Sequence, residues 1–161
     1  FRRWFYHSAR RELMIAGDGL ARGYLNNPAE TIAAFMPDGW FHTGDRGYVD
    51  EADFVHFVDR IKDLIVASGY NIAPVEVEDV LYRHPGVAEA AVVGIADTYR
   101  GETVKAVIAP KPEYKDRITE QEIIDLCKAH LATFKVPRTV EFRDSLPKNA
   151  VGKILRRMLR D

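Results

Sequence analysis

The sequence has few of the features that mark membrane, metal-binding or disulfide-stabilised proteins. Its 161 residues include one cysteine, Cys127, so no internal disulfide can form. No apolar run approaches the roughly 18 residues that a membrane span requires, and the five histidines have no metal-ligand spacing. These absences exclude a membrane-embedded protein and argue against a protein-bound metal.

An excess of positive charge is also missing. The formal net charge is -1, and the basic C-terminal stretch from Arg143 contains no aromatic residue on which a base could stack. Nucleic acid is therefore not an expected partner. The hydrophobic content of 47% is typical of a globular protein. The chain opens without the basic and apolar regions of a signal peptide, so a cytoplasmic location is the default expectation.

Two kinds of sequence pattern divide the chain. Residues 12–60 read as short strands separated by Gly and Asp turns, with one short helix in NNPAETIAAF, and FVHFVDR alternates as a strand with one face toward a core. From Ile61 onward, strands and helices alternate. We predict an α/β (α+β) fold, in which a β-rich piece, residues 1–61, precedes a small α/β sandwich, residues 62–161, that is large enough to fold alone.

Local signals place the elements of the second piece. Pro74 opens one helix, and Thr119 with Glu122 forms a capping box at the start of another. Cys127 falls on the apolar side of that second helix, where we expect an inert core thiol. Pro137 marks the point beyond which this helix does not continue, and a last helix is expected after Gly152.

Two motifs about a hundred residues apart carry the expected chemistry. GWFHTGD ends at Asp45, and LPKNAVGK ends at Lys153. Four further segments occur around them in a fixed order: ELMIAGDGLARGYLNNPAET, VDRIKDLIVASGYNIAPVEVE, HPGVAEAAVVGIAD and FKVPRTVEF. Together they resemble the C-terminal part of the acyl-adenylate-forming enzymes, the AMP-binding superfamily. Within that family the chain is most similar to medium- and long-chain fatty-acyl-CoA synthetases.

The resemblance implies a ligase that works in two steps. A carboxylic acid and Mg²⁺-ATP give acyl-AMP and pyrophosphate, and coenzyme A then displaces AMP to form a thioester. Residues 1–61 would be the C-terminal end of the large adenylation domain, and residues 62–161 the mobile C-terminal domain. The family's phosphate-binding loop and acyl pocket would lie upstream, so we expect the 161 residues alone to be inactive.

Three residues of the first half take their expected roles from the resemblance. Asp45 and Arg60 would bind the ribose of ATP, because a carboxylate accepts from hydroxyls and a guanidinium fork suits paired oxygens. The alternative for Arg60 is a surface ion pair with Asp59 or Asp63. Lys62 occupies the position that the family uses as a hinge between domains.

Three residues of the second half complete the expected site. Ser68 and Gly69 would line the coenzyme A channel, where a missing Cβ lets pantetheine pass; an ordinary turn is the alternative. Lys153, in a flexible loop after Gly152, would be the catalytic cation that stabilises charge during phosphoryl transfer. Its surroundings are not a Walker motif, which needs Ser or Thr where Ile154 stands. PKNAVGK also resembles the site at which protein acetyltransferases modify this family.

Two other functions stay open at this point. The chain could be a catalytically inert stand-alone C-terminal module, a reading favoured by the absence of a phosphate-binding loop among its residues. It could also be a fragment of an aryl- or amino-acid-activating or luciferase-like relative, because the acyl pocket that separates these classes lies outside the sequence.

Overall fold

The computed structural model describes residues 3–7 and 12–160, with the backbone alone for residues 3–7, and separates the chain into two compact units. Unit 1 is Phe1–Lys62 and unit 2 is Asp63–Asp161. Each unit has its own sheet. The predicted mixture of helices and sheets in an α/β fold is confirmed.

Unit 1 is built on an antiparallel sheet whose four strands follow one another in chain order. These are β1 (Arg3–His7), β2 (Glu12–Ala16), β3 (Trp40–Val49) and β4 (Val55–Arg60). The predicted short helix, α1 (Pro28–Ala34), connects β2 to β3. It begins where predicted because Asn27 caps it, accepting the Glu30 N–H at 3.3 Å, and because proline is tolerated in the first turn.

The turns expected at Gly and Asp residues do not include one at Gly44 and Asp45, since β3 runs without interruption from Trp40 to Val49. This segment pairs with β2 on one side and β4 on the other, and the two ladders hold it extended. Gly44 has a φ of +70°, and the register with β4 shifts between Arg46 and Gly47. The Gly and Asp residues therefore mark an irregularity within a strand.

The core-facing alternation expected for β4 is also wrong. The strand forms, but Phe57 is 60% exposed and Asp59 is its one buried residue. The buried apolar side chains of the described part of unit 1, Leu13 and Met14, lie on β2. Helix α1 buries no residue, so it supplies no apolar layer against β4.

Unit 2 contains a five-stranded mixed sheet. Its strands are β5 (Ile65–Ala67), β6 (Tyr70–Ile72), β7 (Val87–Asp97), β8 (Gly101–Pro110) and β9 (Thr139–Phe142). The order is β6-β5-β8-β7, and β9 pairs in parallel with β8. The longest ladder joins β7, at the end of this order, to β8, which also pairs with β5 and β9 and is the central strand.

Both faces of this sheet are buried, as the apolar runs of β7 and β8 require. Alternate residues point to opposite sides: Ala90 and Val92 join the core formed with the helices, and Ala91 and Val93 join a second core. The helices of the first core are α2 (Pro74–Leu81) and α3 (Glu120–His130). The predicted proline start and capping box are both present.

Helix α3 ends before the predicted stop at Pro137. Leu131 is already extended, with φ -125° and ψ 152°, and a separate 3-10 turn, Thr133–Lys135, precedes the proline. With 11 residues, α3 is the longest helix in the described residues, and none of their helices could span a membrane.

The second core is closed by the C-terminal segment, from which Leu146 and Leu159 are buried and Ile154 is partly buried. The helix expected after Gly152 forms only as a single 3-10 turn, Arg156–Leu159. The Leu155 N–H donates to the Pro147 carbonyl at 2.8 Å, so residues before the turn close a loop and do not start a helix.

Candidate functional site

Asp45 and Arg60 lie opposite each other on β3 and β4 in unit 1. Their Cα atoms are register partners, and Arg60 Nε is 3.7 Å from Asp45 Oδ1. This distance is longer than a hydrogen bond, and the two side chains keep 49% and 32% of their surface exposed. Asp59, one alternative partner, instead accepts the backbone N–H of Arg60 at 2.8 Å. The structure thus brings the two predicted ribose-binding residues together.

The backbone before Asp45 is fixed by two side chains. The Thr43 hydroxyl donates to the Leu13 carbonyl at 2.5 Å and accepts the Asp45 N–H at 3.0 Å. The buried Glu12 carboxylate accepts the Gly44 N–H at 3.0 Å. These bonds satisfy backbone donors at the irregularity in β3, and they hold the Asp45 carboxylate at a fixed position on the sheet.

Glu12 is a site residue that sequence reasoning missed. Its carboxylate also accepts from His42 Nδ1 at 3.1 Å, although only 4% of the residue is exposed. A carboxylate at the start of the apolar strand ELMIA was the available signal, because a buried charge needs hydrogen-bonding partners.

A groove of about 540 Å³ lies beside Arg60, and Asp45 is not among its lining residues. Arg60 and Lys62 line it, and Lys62 is exposed in a 3-10 turn, Ile61–Asp63, after β4. Its other lining residues come from β2, β3, α1 and the adjoining loops: Glu12, Tyr24, Glu30, Ala33, Ala34, His42, Thr43, Gly44 and Ile61. The lining includes both cationic and acidic groups, which suit a polar ligand that offers both hydroxyls and anionic oxygens.

In unit 2, Ser68 and Gly69 form a two-residue turn between β5 and β6. Both have positive φ values, +50° and +81°, as a type I′ hairpin requires, and Ala67 pairs with Tyr70 across it. A Cβ on Gly69 would have no atom within 4 Å. Glycine is therefore favoured here by its backbone conformation, whereas the channel role of both residues stays a prediction.

Lys153 lies in a closed turn that we call the Lys153 turn, residues 148–154. An isolated bridge joins Lys148 to Ile154 at its base. Inside it, the Asn149 N–H donates to the Lys153 carbonyl at 2.9 Å, and Asn149 Oδ1 accepts the Lys153 N–H at 2.8 Å. Gly152 has a φ of +81°. The expected flexible loop is thus a hydrogen-bonded turn from which the exposed Lys153 side chain extends.

Ion pairs tie both flanks of the Lys153 turn to the rest of unit 2. On one side, Lys148 pairs with Glu89 on β7. On the other, Arg156 Nη2 donates to both oxygens of Glu78 on α2, at 2.7 and 3.0 Å. Arg156 also lies 4.0 Å from Asp63. Sequence reasoning missed these residues, although a charged residue among the apolar positions of α2 was a signal for Glu78.

Cys127 contributes no reactive group. It is fully buried in the first core, and burial raises the pKa of its thiol to about 11. The thiol is therefore protonated at neutral pH and a poor nucleophile, which confirms the predicted core position. Across residues 12–160, His, Cys, Asp and Glu side chains form no group of three or more that could hold a metal ion.

Comparison with known proteins gives the same family as the motifs. Residues 76–153 match the family described as AMP-binding enzyme C-terminal domain. The Long-chain-fatty-acid–CoA ligase of Bacillus subtilis (strain 168) is 49% identical over 148 residues, which are 92% of this chain and 26% of the relative. The chain therefore spans about a quarter of the length of that relative.

Two solved structures share the fold. The ATP-bound MatB from Rhodopseudomonas palustris is 36% identical, with a TM-score of 0.86 over 92% of this chain and 29% of that one. The o-succinylbenzoate CoA synthetase (MenE) from Bacillus subtilis, in complex with the acyl-adenylate intermediate OSB-AMP, is 39% identical, with a TM-score of 0.83 over 93% and 30%. Residues 76–153 thus match the AMP-binding enzyme C-terminal domain family, and the chain shares the fold of these two enzymes.

Proposed function

We propose that this chain is the C-terminal part of an acyl-CoA synthetase that activates a carboxylic acid with ATP and transfers it to coenzyme A. The observation that carries the proposal is the Asp45 and Arg60 pair, which offers an acceptor and a donor fork 3.7 Å apart on neighbouring strands. Relatives named long-chain-fatty-acid–CoA ligases favour a fatty acid as the substrate.

In the first half-reaction, the substrate carboxylate attacks the α-phosphorus of ATP, and the bond to pyrophosphate breaks. Asp45 accepts hydrogen bonds from the ribose hydroxyls and Arg60 donates to the ribose oxygens. The Lys153 ammonium stabilises the charge that builds on the transferring group. Mg²⁺ enters with ATP and is held mainly by phosphate oxygens, as is usual for this ion.

In the second half-reaction, the thiolate of coenzyme A attacks the acyl carbon, and AMP leaves. The turn of Ser68 and Gly69 lines the path of the pantetheine arm, where a larger side chain would obstruct it. The mobile domain, residues 62–161, turns relative to the adenylation domain, residues 1–61, and Lys62 at this boundary is the hinge. The two compact units divide one residue later, after Lys62. We also infer a cytoplasmic location, because the free, buried Cys127 suits a compartment that keeps thiols reduced.

The test separates the two half-reactions in the full-length protein. Lys153→Ala should lower acyl-AMP formation about 10²-fold or more, the cost of one lost charge stabiliser, and should spare thioester formation from supplied acyl-AMP. Lys128→Ala removes another exposed lysine of unit 2 and serves as the control. Equal losses in both half-reactions would show that Lys153 has a structural role.

A substitution at Gly69 tests the second half-reaction and should leave the first intact. Gly69→Leu should lower thioester formation and leave pyrophosphate exchange intact, because the leucine side chain would narrow the pantetheine path. Gly69→Ala carries the same cost of a positive φ without the bulk, since the space around its Cβ is open. If both variants lose thioester formation equally, backbone strain and not obstruction is the cause, and the channel role fails.

We further infer that a protein acetyltransferase regulates the enzyme at Lys153. The side chain is exposed on a turn, and acetylation would remove the positive charge that the first half-reaction needs. Mass spectrometry of the native protein should find acetyl-Lys153, and the acetylated form should lose acyl-AMP formation alone. A fully active acetylated protein would contradict this role.

A further inference from the structure

The Lys153 turn contains one side chain that holds the backbone of Lys153 directly, that of Asn149. Its Oδ1 atom accepts two backbone N–H groups, from Val151 at 3.1 Å and from Lys153 at 2.8 Å. The Asn149 backbone forms two more bonds, donating to the Lys153 carbonyl at 2.9 Å and accepting the Gly152 N–H at 3.0 Å. Both peptide groups of Lys153 are therefore bonded to a single residue.

The flanks of the turn are fixed independently of the Asn149 side chain. Lys148 pairs with Glu89 before it, and Arg156 pairs with Glu78 after it. Ile154 packs into the second core, and an isolated bridge joins it to Lys148. The conformation of the stretch between these anchors, residues 149–153, depends on the four bonds to Asn149.

We propose that Asn149 is a positioning residue for Lys153, which holds the turn in the conformation that presents the lysine ammonium to the transferring phosphoryl group. This inference rests on the proposed function. The exposed lysine side chain is long and rotatable, so the direction in which it leaves the backbone decides where its charge can reach. A displacement of about 1 Å at a reacting group can lower a rate about 10²-fold, which makes a fixed backbone valuable here.

Asn149→Ala removes only the side-chain bonds. The two backbone bonds between Asn149 and the residues across the turn remain available, and the side chain is exposed, so no core packing is lost. The turn should therefore loosen without unfolding unit 2. We expect kcat for acyl-AMP formation in the full-length protein to fall about 5- to 30-fold, the range that corresponds to the loss of the two hydrogen bonds of the Asn149 side chain. The KM for ATP should change less than about twofold, because the proposed role of Asn149 concerns the transition state of acyl-AMP formation and not the binding of ATP.

A double-mutant cycle distinguishes positioning from a general structural effect. If Asn149 acts through Lys153, Asn149→Ala should have no further effect on acyl-AMP formation in a Lys153→Ala background. Thioester formation from supplied acyl-AMP should stay unchanged in every variant. Gln121→Ala removes an exposed side-chain amide from α3 and is the matched control. The same loss in both backgrounds, or no loss in the wild-type background, would overturn the positioning role.

Amide hydrogen exchange tests the contact without any enzymatic activity. In the wild-type protein the Lys153 and Val151 amides should be protected, Asn149→Ala should abolish that protection at these two positions alone, and Asn149→Asp, which keeps the acceptor oxygen, should restore it. Equal exchange in wild type and Asn149→Ala would refute the inference. If Lys153→Ala itself leaves acyl-AMP formation unchanged, the proposed function fails; if Lys153→Ala lowers it and Asn149→Ala does not, only the positioning role fails.

Discussion

Glu78 offers the sharpest test of how unit 2 is held together. Its carboxylate, on α2, joins two other elements: it accepts the buried Val92 N–H of β7 at 2.8 Å and binds Arg156 of the C-terminal 3-10 turn through Nε at 3.2 Å and Nη2 at 2.7 Å. Glu78→Ala would leave the Val92 N–H without this acceptor and would remove the carboxylate that Arg156 Nη2 binds at 2.7 Å, while Asp63 would remain 4.0 Å from Arg156. The variant should therefore destabilise the helix layer and the C-terminal segment together.

The magnitude follows from these contacts. Breaking one side of a buried ion pair costs about 3–5 kcal/mol, and a buried N–H left without an acceptor costs about 1–3 kcal/mol. The Arg156 side chain is 26% exposed and can regain part of its hydration, so we expect a loss of about 3 kcal/mol in the free energy of unfolding. With urea m-values of about 1–3 kcal/mol/M, the unfolding midpoint of unit 2 should fall by about 1–3 M.

Urea titration of the 161-residue chain measures this loss unit by unit. The two tryptophans, Trp4 and Trp40, both belong to unit 1, so tryptophan fluorescence follows the unfolding of unit 1. The far-UV circular dichroism signal that is left after the fluorescence transition follows the unfolding of unit 2. Glu76→Ala on the same helix is the matched control, because the pair of Glu76 with Lys135 is partly solvated and worth less than about 1 kcal/mol. Equal midpoints for the Glu78 and Glu76 variants would refute the reasoning.

Three further perturbations test other parts of the structure. Cys127, with its pKa raised to about 11 by burial, should react with iodoacetamide at pH 8 at least about tenfold more slowly in the folded chain than in urea; rapid labelling of the folded chain would contradict its burial. Hydrogen bonds from the Thr119 backbone N–H and then from its hydroxyl lower the pKa of Glu122 from its usual value of 4.5. The stability that this carboxylate contributes should therefore be complete above about pH 4.5 and lost as the pH falls through its folded pKa. The thermal unfolding midpoints of wild type and Glu122→Gln, measured between pH 3 and 6, should converge only at the acidic end. Thr43→Val removes a donor to Leu13 and an acceptor for Asp45, so it should lower the free energy of unfolding of unit 1 by about 1–2 kcal/mol. Urea titration followed by tryptophan fluorescence measures this loss, and an unchanged midpoint would show that these bonds do not stabilise unit 1.

Elements that begin with a local chemical signal could be predicted from the sequence. Pro74 and the capping box of Thr119 act within one turn of their own helices, so no distant contact is needed to recognise them. The continuous strand β3 and the shortness of the C-terminal 3-10 turn depend on contacts with residues outside those elements. Pairing with both β2 and β4 extends β3 through Asp45, and the bond from Leu155 to the Pro147 carbonyl prevents an earlier helix start.

The candidate site shows the same limit. The motifs named Asp45 and Arg60 separately, but only the register between β3 and β4 makes them neighbours. Glu12 and Glu78 stand among apolar residues in the sequence, but this signal for their burial is weak because Glu is seldom buried. Their burial makes sense only through bonds to Gly44 and Val92, which are distant in the chain.

The backbone at Asp45 and the backbone at Lys153, in different units, are held by the same local arrangement of a glycine and a hydrogen bond. Each follows a glycine of positive φ, Gly44 at +70° and Gly152 at +81°, and each has its N–H accepted by a side-chain oxygen from earlier in the chain. The glycine turns the backbone out of its regular path, and the side-chain oxygen satisfies an N–H that would otherwise lack a protein acceptor.

The two side chains that accept these N–H groups, Thr43 and Asn149, differ in their other hydrogen bonds, and this difference predicts different effects of mutation on stability. The Thr43 hydroxyl also donates to the Leu13 carbonyl on the neighbouring strand, so it links the position of Asp45 to the stability of the sheet. Asn149 Oδ1 accepts only from within its own turn. Loss of the Thr43 hydroxyl should therefore lower both stability and function, whereas loss of the Asn149 amide should lower function with little change in the unfolding midpoint. Charged side chains on exposed irregular backbone can thus be positioned by local hydrogen bonds, without the packing that fixes core residues.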